Sequence, residues 1–297
     1  MSNKKDSGFF IEAIVLAAVL VLTLPLRTVQ YYSVIEAGTG FFTKVTPMVI
    51  IFFVIVAAAA IYFMVSAFMK RKKFALEENS SRKIGLGIIS AVCGISTGFS
   101  AYQEYAFKDV DASKYTVTAT ISTSASKGLL YLQIIFAILA AAYFILLALS
   151  FFAGKSGSDY KLLSLTPVIW MVLRLVVRFT RTVSYVRVSD LLIEMLMLVM
   201  FSLFFMAFAQ TNSMVNGEGN EWRLAAFGLS GALLGLICFV PRFILTITGH
   251  SDAMYALSRA DVSDFAMSLF ALITVLTRLV PKQNIIEETT ESENSVK

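Results

Sequence analysis

Residues 45–73 read VTPMVIIFFVIVAAAAIYFMVSAFMKRKK: no charge from Val45 to Met69, then Lys70, Arg71, Lys72 and Lys73 in succession. At 1.5 Å of rise per residue such a stretch makes a helix roughly 37 Å long, enough to cross a hydrocarbon core of about 30 Å with some tilt. Clusters of lysine and arginine beside a span stay on the cytoplasmic side. With Arg82 and Lys83 added, the loop after this helix is the densest basic cluster in the chain. It places the end of the helix, and therefore the N-terminus one span earlier, in the cytoplasm.

Seven further apolar runs accompany it, at about Phe9–Leu26, Ile84–Ala101, Leu129–Ala153, Leu162–Thr180, Leu191–Ala209, Leu224–Val240 and Phe265–Val280. The last is short and the fifth carries Arg174 and Arg178, so these two are the weakest candidates for a crossing. Composition points the same way: of 297 residues, 57% are hydrophobic and 15% charged, with a mean hydropathy of +0.75. A soluble domain carries about 25% charged residues, and a chain with so little polar surface needs lipid as its solvent. The expected fold is all-α, a polytopic transmembrane helix bundle of about eight spans over residues 1–281 with both termini cytoplasmic. Over those spans lysine and arginine lie in modest excess inside, chiefly through the one basic loop.

The net charge of +5 is no nucleic-acid signal, because its strongest cluster follows a span. The partner it implies is the bilayer. Lys4 and Lys5 before an apolar stretch resemble a signal peptide, but Pro25, Leu26 and Arg27 stand where a small-residue cleavage site belongs. The run is expected to remain as a first helix. Tyr102–Lys127 reads as a long external loop, with Tyr115–Ser124 alternating enough for a short extended segment. Residues 282–297, with Glu287, Glu288, Glu291 and Glu293, read as a disordered acidic cytoplasmic tail. Cys93 and Cys238 sit in apolar runs and, with the single His250, cannot supply a four-ligand zinc site. They are expected to pack, with no metal and no cofactor.

Two segments repeat one another. The first helix exits as Arg27-Thr-Val-Gln-Tyr31-Tyr-Ser-Val34-Ile-Glu36 and the fifth as Arg181-Thr-Val-Ser-Tyr185-Val-Arg-Val188-Ser-Asp190. The third and seventh helices carry small residues four apart, Ser90, Gly94 and Gly98 in one and Gly231 and Gly235 in the other, with Gly228 nearby. That spacing lets backbones approach closely. Together these suggest a parallel 4+4 repeat with halves at 1–153 and 154–281.

Arg174, Arg178 and Arg181 are the most informative residues. At 100° per residue they fall within about 60° of one another on one helical face, with Trp170 a turn below. An arginine near the bilayer centre costs about 2.5 kcal/mol or more, so this face should meet other helices or a wet cavity. The sixth helix enters at about Asp190, which puts Glu194 at the depth of Arg178 and predicts that the two pair. Arg27, Gln30, Arg242 and Asp264 also belong to the outer ends of their helices. The candidate ligand-binding set is therefore Arg174, Arg178, Arg181, Glu194, Arg27, Gln30 and Arg242, a net-positive outer vestibule suited to a small anionic ligand or an anionic lipid. The plainer reading is structural: arginines near a helix end snorkel, and buried pairs fix register. Glu12 reads as peripheral, within reach of Lys4, and Pro241 as a kink or helix end.

No phosphate-binding glycine loop, HExxH pair or mid-span lysine occurs, and nothing around His250 resembles a nucleophile elbow. Pro167-Val-Ile-Trp170-Met-Val-Leu-Arg174-Leu-Val-Val-Arg178-Phe, with Val188-Ser-Asp-Leu-Leu-Ile-Glu194, resembles segments of uncharacterised multi-pass membrane proteins of clostridial-type bacteria. Arg27–Gln30, with Thr39-Gly-Phe-Phe42 after it, is similar to their first loop. The likeness covers about a third of the chain. It implies a bacterial plasma membrane and supplies no function. Two functional readings remain: a protein that binds or transports a small anionic solute or lipid headgroup, and a non-transporting scaffold, sensor or accessory subunit. An embedded enzyme is a weaker third.

Overall fold

The computed structural model describes residues 9–36, 42–71, 74–76, 80–106, 124–154, 161–181, 190–212, 221–250 and 260–281. Eight helices occupy them: α1 Phe10–Ser33, α2 Pro47–Met69, α3 Ser80–Ala106, α4 Ser124–Phe152, α5 Thr166–Arg181, α6 Asp190–Asn212, α7 Glu221–Ile247 and α8 Val262–Arg278. A single 3-10 turn, Leu163–Leu165, and two three-residue strands, β1 Phe74–Leu76 and β2 Leu279–Pro281, complete the described elements. Each apolar run expected from sequence is a helix. Six of them, all but α5 and α8, are long and apolar enough to cross a membrane.

Most helices outrun their apolar cores, because the backbone ladder satisfies itself whether or not the side chains are greasy. α1 passes through Pro25 to Ser33, and α7 passes through Pro241 to Ile247. Pro241 therefore does not end its helix. The margins of the segment expected as an external loop are helical, since Tyr102–Ala106 belongs to α3 and Ser124–Lys127 to α4. The rest of that loop, the acidic tail beyond Pro281 and the exit segment 182–189 lie outside the described residues.

α7 is the central helix, packed on α1, α2, α6 and α8, and 89% of its most apolar window is buried. α1 and α2 lie at the periphery, 22% and 28% buried, and present Ile11, Val21, Leu22, Ile50, Val54 and Ile61 outward. Glycine explains the central place. A Cβ at Gly228 would stand 2.9 Å from Val275 of α8 and 3.1 Å from Phe204 of α6. One at Gly235 would collide with the Ser268 hydroxyl and stand 3.0 Å from Phe201. In α3, Gly94 has the same function against Ile145 and the Ala141 carbonyl of α4. The small-residue faces thus seat neighbouring helices, as expected of bundles held by close packing. Between these helices lies an aromatic core in which Phe144, Phe204, Phe205 and Phe208 gather on Phe270.

The ends of the helices sort into two faces. β1 pairs antiparallel with β2, Phe74 opposite Pro281 and Leu76 opposite Leu279, so the exits of α2 and α8 share one face. Glu12 near the start of α1 bonds Ser66 and pairs with Lys70, which brings that start to the same face. Glu12 is buried and pairs with Lys70, which corrects its peripheral reading, while Lys4 lies outside the described residues. On the opposite face the Ile35–Phe42 bridge closes the turn between α1 and α2, and Tyr32 meets the His250 ring edge-on. The two halves of the chain differ in packing: α6 lies along α7, whereas α2 and α3 are not a packed pair.

Candidate functional site

The charged residues singled out in sequence converge at the face where α1 and α7 end and α8 begins. Arg174 reaches across from α5 to the first turn of α8. Its Nη1 donates to Asp264 Oδ1 at 2.5 Å and its Nη2 to Asp264 Oδ2 at 3.1 Å, a bidentate fork. Nη2 also donates to Asp261 Oδ2 at 2.8 Å. Asp261 is the N-cap of α8: its Oδ1 accepts from the Ser263 amide at 2.9 Å, satisfying one of the helix's orphan donors. Ser100 of α3 donates to Asp261 Oδ2 at 2.9 Å. Burial pushes the Asp261 carboxyl up, but the Arg174 guanidinium and the Ser263 and Ser100 donors outweigh it and hold it below the usual carboxylate range. Trp170, one turn back on α5, lies 5.7 Å from the Arg174 guanidinium, a cation–π distance.

Glu194 of α6 is the second centre. Arg178 Nε stands 2.9 Å from its Oε1, the pair expected from matched depth. Arg242 of α7 donates from Nη2 to its Oε2 at 3.1 Å and from Nε to the Tyr31 hydroxyl at 3.2 Å. Glu194 is also close enough to Arg174 and Asp264 to act on both electrostatically, so the two centres form one cluster. Tyr31 carries it on to α1. There the Arg27 guanidinium lies 5.1 Å from the Tyr31 ring, near the Phe42 and Phe52 rings, and donates to Gln30 Oε1 at 2.8 Å. Arg27, Gln30, Arg174, Glu194, Arg242 and Asp264 are all at most 2% exposed, while the Arg178 side chain is 17% exposed.

Six of the seven sequence-selected residues are therefore brought together. For the seventh, Arg181, the backbone closes α5 and the side chain lies outside the described residues. Sequence reasoning paired Arg178 with Glu194, read the set as net-positive and named no partner for Arg174. The structure corrects this: Asp264 and Asp261 both take Arg174, and Arg178 shares Glu194 with Arg242. Asp261, Tyr31, Ser100 and Ser263 were missed. A usable signal existed for the first of them, since Asp261-Val-Ser-Asp264 is a capping pattern at the mouth of the last apolar run.

Among the described residues, three buried donors near these centres find no acceptor: Arg174 Nε, Trp170 Nε1 and Gln30 Nε2. Each such group costs about 1–3 kcal/mol if left unsatisfied. Among the described residues no group of three His, Cys, Asp or Glu side chains could hold a metal ion. Cys93 is fully buried and donates to the Ala266 carbonyl at 3.2 Å, and Cys238 is buried in the core, so both pack.

The fold defines the class: the chain is a helical, multi-pass membrane protein. No family model, no curated protein and no solved structure matches it.

Proposed function

We propose that the chain binds or moves a small anionic solute or lipid headgroup at the cluster around Glu194. The observation that carries the proposal is the set of buried donors that find no acceptor among the described residues, Arg174 Nε, Trp170 Nε1 and Gln30 Nε2, inside a cluster of four arginines and three carboxylates. An anion is the acceptor such a cluster lacks, and ionisable groups kept at membrane depth mark ligand or ion paths by default. Arg178, the most exposed of the four arginines of the cluster, is the entry point. The test is thermal stability in detergent with phosphate, sulfate and short carboxylates added, on wild type and Arg178→Gln. A midpoint raised by an anion in wild type and not in the variant supports the proposal. Equal responses, or none in either protein, count against it.

The same reading includes all eight helices crossing the membrane, with both termini cytoplasmic, in the plasma membrane of a bacterium. Parity supports the count. α3 starts and α8 ends on the face shared by β1 and β2, so an even number of the six helices between those points must cross. α5 and α8 then cross together or not at all. At 16 and 17 residues they span roughly 24–26 Å, short of the usual core by an amount bilayers accommodate. The basic loop supports the orientation, and the clostridial likeness the compartment. The 4+4 duplication rests on sequence alone, the matching exit segments and the small-residue helices, and the packing of α6 on α7 with no counterpart between α2 and α3 counts against it.

A scaffold, sensor or accessory subunit is the second reading. It is favoured by the way the cluster ties α1, α3, α5, α6, α7 and α8 into one unit, as a register-fixing ion network does.

A further inference from the structure

At the face where β1 pairs with β2, the end of α2 meets the start of α7, and the anion reading above uses neither. The Phe68 ring of α2 meets the Trp222 ring of α7 edge-on, with centroids 5.3 Å apart. An arginine flanks each ring. The Arg71 guanidinium lies 4.6 Å from the Phe68 centroid, and that of Arg223 lies 5.8 Å from the Trp222 centroid. The order is cation, ring, ring, cation, carried by two helices packed on one another, and α7 also touches β1.

These two arginines differ from those around Glu194. Arg174, Arg178 and Arg242 are each held by a carboxylate, whereas neither Arg71 nor Arg223 is in an ion pair among the described residues. An aromatic ring attracts the charge of a guanidinium without offering it an oxygen, so the N–H fork still lacks an acceptor. Arg71 is exposed, and Trp222 and Arg223 are half-buried, so the donors are open to a ligand. Glu221 opens α7 two residues before Arg223, and helical residues two apart do not face each other. Lys70 is turned to Glu12 instead. Depth fits as well. The apolar run of α2 ends at Met69, which puts Arg71 just beyond the hydrocarbon and the two rings at the boundary where aromatic side chains gather. Running back from Phe68 along one face of α2, Val65 and Ile61 continue an outward apolar stripe, the three being 46%, 50% and 57% exposed.

We propose that Arg71 and Arg223, on the Phe68–Trp222 platform, hold the phosphate of an acidic phospholipid of the adjacent leaflet, whose chains lie along the Ile61–Val65–Phe68 stripe. Guanidinium forks supply the phosphate with charge-assisted bonds, and the stripe supplies the acyl chains with an apolar wall. The site is separate from the Glu194 cluster: Arg223 stands in the first turn of α7 and Arg242 towards its other end. It stands whether or not that cluster takes an anion.

The chain has two tryptophans, and Trp170 is 1% exposed, so quenching by a lipid reports Trp222. The test places the full-length chain in phosphatidylcholine nanodiscs holding a minor fraction of phosphatidylglycerol. One lipid or the other carries bromine on its acyl chains near the headgroup. Brominated phosphatidylglycerol should quench more per mole than brominated phosphatidylcholine. Arg71→Gln and Arg223→Gln should each cut that preference about fivefold, the ordinary worth of one basic residue at an anionic surface, and the double variant should make the two lipids equal. Neither replacement breaks an ion pair among the described residues, so the variants fold. Arg178→Gln should keep the preference. Equal quenching by the two lipids in wild type overturns the inference, as does a preference that survives the double variant. A loss in Lys72→Gln/Lys73→Gln as complete as in the double arginine variant would also overturn it, by showing the diffuse attraction of a basic loop. A preference lost in Arg178→Gln alone would overturn it too, while leaving the Glu194-centred site standing.

Discussion

Replacing Arg174 with methionine should destabilise the protein more than replacing Asp264 with asparagine, although the two residues are partners in one fork. Methionine keeps most of the volume and removes the charge-assisted bonds from Arg174 to both Asp264 oxygens and to Asp261. Asp261 then keeps its bonds from Ser100 and the Ser263 amide. Asp264, 2% exposed, loses both donors to its carboxylate. Stranding a buried charge in this way costs about 3–5 kcal/mol. Asp264→Asn is milder, because Arg174 still has Asp261 at 2.8 Å and the amide oxygen still accepts. Losing charge assistance alone should cost about 1–3 kcal/mol. The double variant should recover part of the loss, with a coupling of about 1–3 kcal/mol, since the stranded carboxylate is gone. Reversible unfolding in mixed micelles titrated with a denaturing detergent, run on all four proteins, measures each quantity. An Arg174→Met cost below that of Asp264→Asn would refute the geometry, as would single costs that add within about 0.5 kcal/mol.

Other outcomes follow from the same contacts. Gly235→Ala drives a Cβ against the Ser268 hydroxyl and Phe201 and should cost about 1–3 kcal/mol, whereas Gly85→Ala, with nothing within 4 Å, should be neutral or slightly stabilising; the same unfolding assay decides. Cys93 and Cys238 should resist a maleimide in the folded protein and react together once it is unfolded, which labelling with mass detection reads directly. Reporters fused after Arg71 and after Pro281 should lie on one side of the membrane, because β1 and β2 are paired; opposite sides would break the parity argument.

Much of the bundle was legible because hydropathy and helix length are local properties: eight apolar runs, eight helices. The two runs that carried doubt, the fifth and the last, are the two that became the short helices α5 and α8. Their polar residues look anomalous in a linear reading and are explained only by each other, Arg174 on one against Asp264 on the other. Pairing could be anticipated where two residues share a depth at a common turn, as Arg178 and Glu194 do across the α5–α6 connection. It could not be anticipated between α5 and α8, which are remote in sequence and meet only because α8 packs between α3 and α7. The bond from Arg278 to Asn212 was invisible for the same reason. Asn212 and Arg278 are unremarkable on their own helices and meet only when α6 and α8 close on one another.

The most direct test of the central claim is native mass spectrometry of the gently purified protein beside its Arg178→Ala variant. An added mass matching a small anion or an acidic lipid, present on wild type and absent from the variant, is the predicted result. Identical spectra with no bound mass, from two proteins of equal stability, would contradict it and leave the cluster around Glu194 as the register lock of a scaffold.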